Sequence, residues 1–333
     1  METISFSAVA LIKVSLLTFV SFILAVLWTP FLTHFLYKYK LGKKVAKDQA
    51  PIFNNLHKEK ENVPSMGGLL VWVTTAILTL LFNLSREATW LPLSTLVLTG
   101  FLGFFDDLSN AWGRKGMRVR HKLFWQIIIA ALGALWFYYK LEWGIKGIYI
   151  PHFGDFVIGV WYIPLFILVI VATMNAVNIT DGLDGLSGGL LSFAFFVFGV
   201  IALVTGQYGI AVFCGTIIGA LLAFLWFNIY PARFIMGDTG SMALGATLGV
   251  IAMLTNSVVI LPIVGFIFVA ETLSVIIQLI SKKFFKKKIF ISSPFHHHLQ
   301  AKGWPEPKVV MRLWVLGAIF AAVGLAVGLL GKG

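Results

Sequence analysis

Ten apolar runs organise this chain, at roughly 8–36, 66–84, 90–106, 121–139, 160–177, 186–204, 208–227, 240–256, 259–281 and 309–330. About 20 apolar residues cross a bilayer as a helix, so the runs read as membrane spans. The pattern predicts an all-α, polytopic membrane protein with ten transmembrane helices in one domain over 1–333. Lipid has to be its solvent. Hydrophobic residues make up 59% of the chain and charged residues 12%, which leaves too little polar surface to cover a globule in water. No long linker, low-complexity tract or clear repeat divides the chain. The first run follows an acidic start at Glu2 and continues too far for a cleaved leader, so it is expected to remain as a span. The lone Cys214 lies in an apolar run, which excludes an intramolecular disulfide and every cysteine-based metal pattern.

Lysines and arginines mark the inner side of a membrane protein. Ten spans put both termini on one side. With the termini outside, the inner loops are 37–65, 105–122, 178–186, 228–240 and 282–312, and they hold 21 of the 26 basic residues. Both termini are therefore placed in the periplasm. In the outer segment 144–162, isoleucine and phenylalanine alternate with glycine and polar residues. A small surface hairpin turning at Gly154-Asp155 is expected there.

Nine of the 14 carboxylates fall in or beside the inner loops. An ionisable group where a span meets a loop is costly to keep and is a functional candidate. Asp106 and Asp107 end an apolar span, and their mutual repulsion calls for a cation or base nearby. Asp181 and Asp184, with Asn175 and Asn178, stand among glycines that let a ligand approach the backbone. One of the two can instead cap the span near 186. Asp238 lies between Gly237 and Gly240 before another span, where it can bind a cation or cap the helix at 240. Glu271 falls inside a span and is expected to be paired.

Cations surround these acids. His57 and Lys60 precede the glycine-rich junction at Pro64–Gly68, and Arg118, Arg120, His121 and Lys122 open the fourth span. Five lysines between 282 and 288 suit an anionic inner membrane surface. His296, His297 and His298 are adjacent, a spacing unsuited to one zinc ion and better suited to phosphate binding or proton transfer. No P-loop, zinc helix or nucleophile elbow occurs. Carboxylates, cations and glycine-rich helix starts on one face point to metal-assisted phosphoryl transfer between a membrane phosphate and one from the cytosol.

The motifs resemble the polyprenyl-phosphate N-acetylhexosamine-1-phosphate transferase superfamily, and within it the phospho-N-acetylmuramoyl-pentapeptide transferases. The resemblance runs from about residue 57 to 314. It rests on Pro64–Gly68, Gly103–Asp107, Asn175–Gly185, Met236–Ser241, Glu271–Ser274, and Pro294–His298 with Gly303–Lys308. It implies transfer of phospho-MurNAc-pentapeptide from UDP to undecaprenyl phosphate, giving lipid I and UMP, with Mg²⁺ required. It makes Asp238 the main metal ligand, with Asn178, and gives Asp106 and Asp107 the lipid phosphate, one of them deprotonating it. Asn178, Asp181, Asp184, Asn228 and Lys122 would line the nucleotide site. His296, His297 and His298 would contact phosphate or sugar, and Lys60, Gly237 and Gln278 complete the substrate-binding set. A homodimer in the bacterial inner membrane is implied, with its active site facing the cytoplasm and no nucleic-acid partner. Departures from the family pattern fall at Val63, Ser65, Asn110 and Ile235, positions that bear on uracil stacking and phosphate contact. A sister transferase using UDP-GlcNAc shares the acids but is expected to lack the unbroken histidines and Trp304–Pro307. A transporter would favour repeats and broken helices meeting at the midplane.

Overall fold

The computed structural model describes residues 8–42, 63–85, 88–112, 116–143 and 147–330. The chain forms helices α1 (Ala8–Lys38), α2 (Leu69–Phe82), α3 (Trp90–Ala111) and α4 (Val119–Tyr139). Then come α5 (Tyr162–Thr180), α6 (Leu186–Val204), α7 (Tyr208–Asn228) and α8 (Gly237–Leu254). The remaining helices are α9 (Leu261–Val264), α10 (Phe266–Ile280), α11 (Phe295–Ala301) and α12 (Glu306–Leu329). Among the described residues, eight helices are long and apolar enough to cross a membrane, or up to nine if a bent pair is one span.

Two predicted spans take a different form. The run 66–84 yields α2 of only 14 residues, because Gly67 and Gly68 donate their N–H groups to Ile235 and Met236 carbonyls before the helix begins. The run 259–281 is broken: its two halves are bent by 79°. Pro262 opens α9, and Gly265 leaves the helical region at φ −93°, ψ 25°. Membrane helices tolerate such residues, and a run of apolar residues hides the break.

Helix α8 occupies the centre. It packs chiefly on α3 and α5, with α2 and α6 completing its surround. Its glycines and alanines let these backbones come close, the usual basis of helix association in lipid. A second layer pairs α1 with α7, α6 with α12, and α4 with α5.

The expected hairpin is present. Strands β1 (Ile148–Ile150) and β2 (Gly154–Phe156) are antiparallel. Its turn is Pro151–Phe153 and not Gly154-Asp155: His152 takes φ +73°, and Phe153 N–H closes on Ile150 O at 3.0 Å. Tyr149 N–H donates to Asn256 Oδ1 at 2.9 Å, which pins the hairpin beyond the C-terminal end of α8. Cys214 is fully buried as a free thiol.

Candidate active site

The acids meet at the end of the bundle opposite the hairpin, where α3 and α5 finish and α4, α6 and α8 begin. Helix α3 runs past the expected boundary at 106 to Ala111, so Asp106 and Asp107 are helical residues and buried. Successive helical residues point about 100° apart, and the two acids accordingly serve different neighbours. Asp107 Oδ2 accepts the Thr239 N–H at 3.0 Å, and Ser65 Oγ lies 3.5 Å from its Oδ1. Asp107 thus clamps the first turn of α8. Asp106 Oδ1 accepts the Met117 N–H at 2.6 Å, and its Oδ2 lies 3.2 Å from Lys122 Nζ.

Lys122, in the first turn of α4, also forms an ion pair with Asp238 Oδ2. One ammonium therefore bridges two carboxylates from different helices. Asp238 is not the cap of α8, as its position before the expected start at 240 allowed. The helix begins at Gly237 with Met236 in the cap position, and Asp238 lies inside the first turn. Asn178 Nδ2 donates to Asp238 Oδ1 at 2.9 Å and to Ser241 Oγ at 2.8 Å. These bonds tie the Asn178 amide to the first turn of α8.

The loop between α5 and α6 supplies the second half. Asp181 accepts from Ser187 Oγ at 2.6 Å and from Gly237 N–H at 3.2 Å. Asp184 Oδ2 accepts the Ala232 N–H at 2.9 Å. The cap of α6 is Gly185, at φ +80° and without a side-chain capping bond, so the capping role weighed for these acids is not taken up. Asn228 holds both sides of the gap: its Oδ1 accepts the Gly185 N–H at 2.9 Å, and its Nδ2 donates to Phe234 O at 2.9 Å.

The histidines have three separate environments. His296 is fully buried, and its Nδ1 lies 3.0 Å from Glu271 Oε2. This supplies the partner expected for the intramembrane acid. The opposite nitrogen, Nε2, is buried and has no hydrogen bond among the described residues. It faces Gly182, where an added Cβ would approach it to 2.3 Å. His297 Nδ1 lies 3.0 Å from Gln300 Oε1. His298 Nδ1 accepts the Ile291 N–H at 3.2 Å. Burial, and then the Lys302 ammonium, lowers the His298 pKa from its ordinary value. Gln278 sits on a structural bond set: Oε1 accepts from Ile289 and Phe290, and Nε2 donates to Phe290 O. Lys60 lies outside the described residues.

Some contributors were not assigned a role from sequence. Glu306, in the first turn of α12, accepts the Asp184 N–H at 2.7 Å. Trp314 Nε1–H donates to Gly185 O at 3.2 Å. Helix α12 thereby grips the Asp181–Gly185 loop. The Pro305-Glu306-Pro307 helix start was the available sign, but an acid in a first turn is also explained by the helix dipole alone.

Among the described residues no group of three or more His, Cys, Asp or Glu could hold a metal ion. The donor set nevertheless fits a hard cation. Asp106 and Asp238 converge closely enough to share one ammonium. Mg²⁺ is commonly held by one or two carboxylates, with substrate phosphates and water filling the other positions.

A family model described as glycosyl transferase family 4 matches residues 89–256, the stretch that contains every acid of the cluster except Glu271 and Glu306. A phospho-N-acetylmuramoyl-pentapeptide-transferase of Chloroflexus aggregans is 37% identical over 331 residues, covering 95% of this chain and 89% of that protein. The chain belongs to the phospho-N-acetylmuramoyl-pentapeptide-transferase family. A transferase of the same name from Geobacillus sp. (strain WCH70) is 39% identical over 312 residues, 92% of this chain and 94% of its own. The one from Chloroflexus aurantiacus (strain ATCC 29366 / DSM 635 / J-10-fl) is 38% identical over 331 residues, 95% of this chain and 89% of its own. As a member of this transferase family with many apolar helices, the protein is a multi-pass membrane protein.

Proposed function

We propose that the protein transfers phospho-MurNAc-pentapeptide from UDP-MurNAc-pentapeptide to undecaprenyl phosphate. A P–O bond forms between the lipid phosphate and the sugar-bearing phosphorus. The bond to UMP breaks, and lipid I is the product. The observation that carries this reading is the convergence of Asp106, Lys122, Asn178 and Asp238 in a chain so similar to transferases of that name. Phosphoryl transfer depends mainly on positioning and on neutralising phosphate charge. Lys122 supplies a positive charge at the point where both substrates' phosphates would meet. Asp106, facing that point, is the better placed of the adjacent acids to accept a proton from the lipid phosphate. Asp107 positions α8. Asp181, Asp184 and Asn228 shape the nucleotide loop.

Asp238 and Asn178 are the residues that would hold Mg²⁺, with Asp106 standing across Lys122 from Asp238. When bound, the ion supplies charge neutralisation on the diphosphate. The remaining features follow the same reading: ten spans with α2 and the α9–α10 pair each counted as one, periplasmic termini, a cytoplasmic active site, the bacterial inner membrane and a homodimer. The loop charge asymmetry supports the orientation.

The test is UMP release by purified protein given undecaprenyl phosphate and UDP-MurNAc-pentapeptide. It is run with and without Mg²⁺, with UDP-GlcNAc in parallel and Asp238→Ala as control. Metal-dependent release from the muramoyl substrate alone, lost in the variant, supports the reading. Release from UDP-GlcNAc alone moves the protein to the sister activity, and no release from either overturns the transferase reading.

A further inference from the structure

On the flank of the bundle, where α1 meets the end of α7, lies a pocket of about 630 Å³. It is lined by Thr29, Pro30, Thr33, His34, Tyr37, Lys38, Phe227 and Arg233. The α1 contribution is one helical stripe, since residues three and four apart share a face. Among the described residues no carboxylate lines the pocket, which instead carries an ammonium, a guanidinium and an imidazole. Among the described residues none of these three forms an ion pair, unlike Lys122 in the active site.

The surroundings indicate what such a pocket meets. Tyr37, Tyr39 and Tyr230 are exposed nearby, and tyrosines gather at the headgroup level of a bilayer. Phe31 and Trp226, each about three-quarters exposed, belong to the same two helix ends and offer an apolar wall. Cations with an open pocket at headgroup depth, beside exposed apolar rings, match an amphiphile with an anionic head and acyl tails. Basic pockets between transmembrane helices bind anionic lipid headgroups in this way.

We propose that this pocket binds the phosphate headgroup of an anionic phospholipid of the surrounding bilayer. Arg233 and Lys38 are its principal charge contacts, and the acyl chains lie along Phe31 and Trp226. Tyr37 Oη donates to Arg233 O at 2.9 Å, so the pocket joins α1 to the 229–236 segment, whose Ala232 also bonds Asp184. A lipid seated here braces a segment that borders the catalytic loop without entering it.

The test is native mass spectrometry of the full chain, released from mixed micelles holding equal phosphatidylglycerol and phosphatidylcholine. Retention of phosphatidylglycerol is expected for the wild type and lost in Lys38→Gln/Arg233→Gln. Each cation near a membrane surface contributes about 1 kcal/mol, so the double change should weaken retention roughly thirtyfold. Lys38→Arg/Arg233→Lys, which keeps both charges, should retain it. Thermal unfolding and UMP release of each variant show whether it is folded. Equal retention by wild type and a folded double-glutamine variant overturns the proposal. So does displacement of phosphatidylglycerol by inorganic phosphate, which would make this a soluble-anion site. Displacement by stoichiometric undecaprenyl phosphate also overturns it, because the pocket would then belong to the substrate lipid.

Discussion

Gly103 presses against the backbone of Asp238: a Cβ built on the glycine would lie 2.2 Å from the Asp238 carbonyl oxygen. The acid-bearing turn of α3 and the first turn of α8 are thus in direct main-chain contact. Gly103→Ala forces them apart. Overpacking of this kind costs about 1–3 kcal/mol, and a misplacement of about 1 Å at a reacting site costs on the order of a hundredfold in rate. Thermal unfolding and UMP release together should show a modest loss of stability with a much larger loss of kcat.

Lys122→Met removes the ammonium between Asp106 and Asp238 and leaves two facing carboxylates. Loss of a charge-stabilising group of this kind lowers kcat by about 100- to 1000-fold. Steady-state UMP release checks this, and raised Mg²⁺ should recover part of the loss.

Chelation of divalent ions should abolish turnover. Asp238→Asn should raise the Mg²⁺ concentration for half-maximal activity by at least about tenfold, the scale for altered metal ligation. Asp184→Asn, whose carboxylate bonds the Ala232 N–H, should leave that concentration unchanged and raise KM for the nucleotide sugar.

Glu306→Ala strands the Asp184 N–H that it now receives at 2.7 Å. A buried donor left without its acceptor costs about 1–3 kcal/mol. The expected result is a raised KM for UDP-MurNAc-pentapeptide with kcat less affected. Glu306→Gln keeps a carbonyl oxygen there and should restore most of the loss.

His298 gives a pH dependence of stability. Burial, with help from Lys302, lowers its folded-state pKa below the ordinary value of 6.5. Between those two values the unfolded chain binds the extra proton, so stability rises with pH. The stabilisation is complete above about 6.5 and is lost as pH falls through the lowered folded value. The Ile291 N–H at Nδ1 fits a neutral ring. Tm measured from pH 7.5 down to 5 should fall less steeply in His298→Gln than in the wild type.

The helices were legible because lipid imposes a single requirement, sustained apolar length, that composition records directly. Boundaries were less so. Gly237-Asp238-Thr239-Gly240 reads as a loop, yet forms the first turn of α8 because Asp107 receives the Thr239 N–H. The break at Gly265 was hidden because glycine and proline are ordinary inside membrane helices. The site's chemistry was visible as acids and cations at span ends. Its division of labour was not, since whether Asp106 or Asp107 faces Lys122 depends on helix phase. Gln278 shows the same limit: its bonds to Ile289 and Phe290 depend on where the chain turns after α10.

The burial of α8 bears on how the protein is made. Every residue of the helix except Asp238 is buried, and it has the lowest mean hydropathy of the eight long helices. Such a segment partitions weakly into hydrocarbon by itself. Its neighbours α2, α3, α5 and α6 all precede it in the chain, so during synthesis they already stand in the membrane when α8 emerges. The helix that carries Asp238 enters a cleft of protein, and its insertion brings Asp238 to Asp106, Lys122 and Asn178 before α12 arrives to grip the Asp181–Gly185 loop.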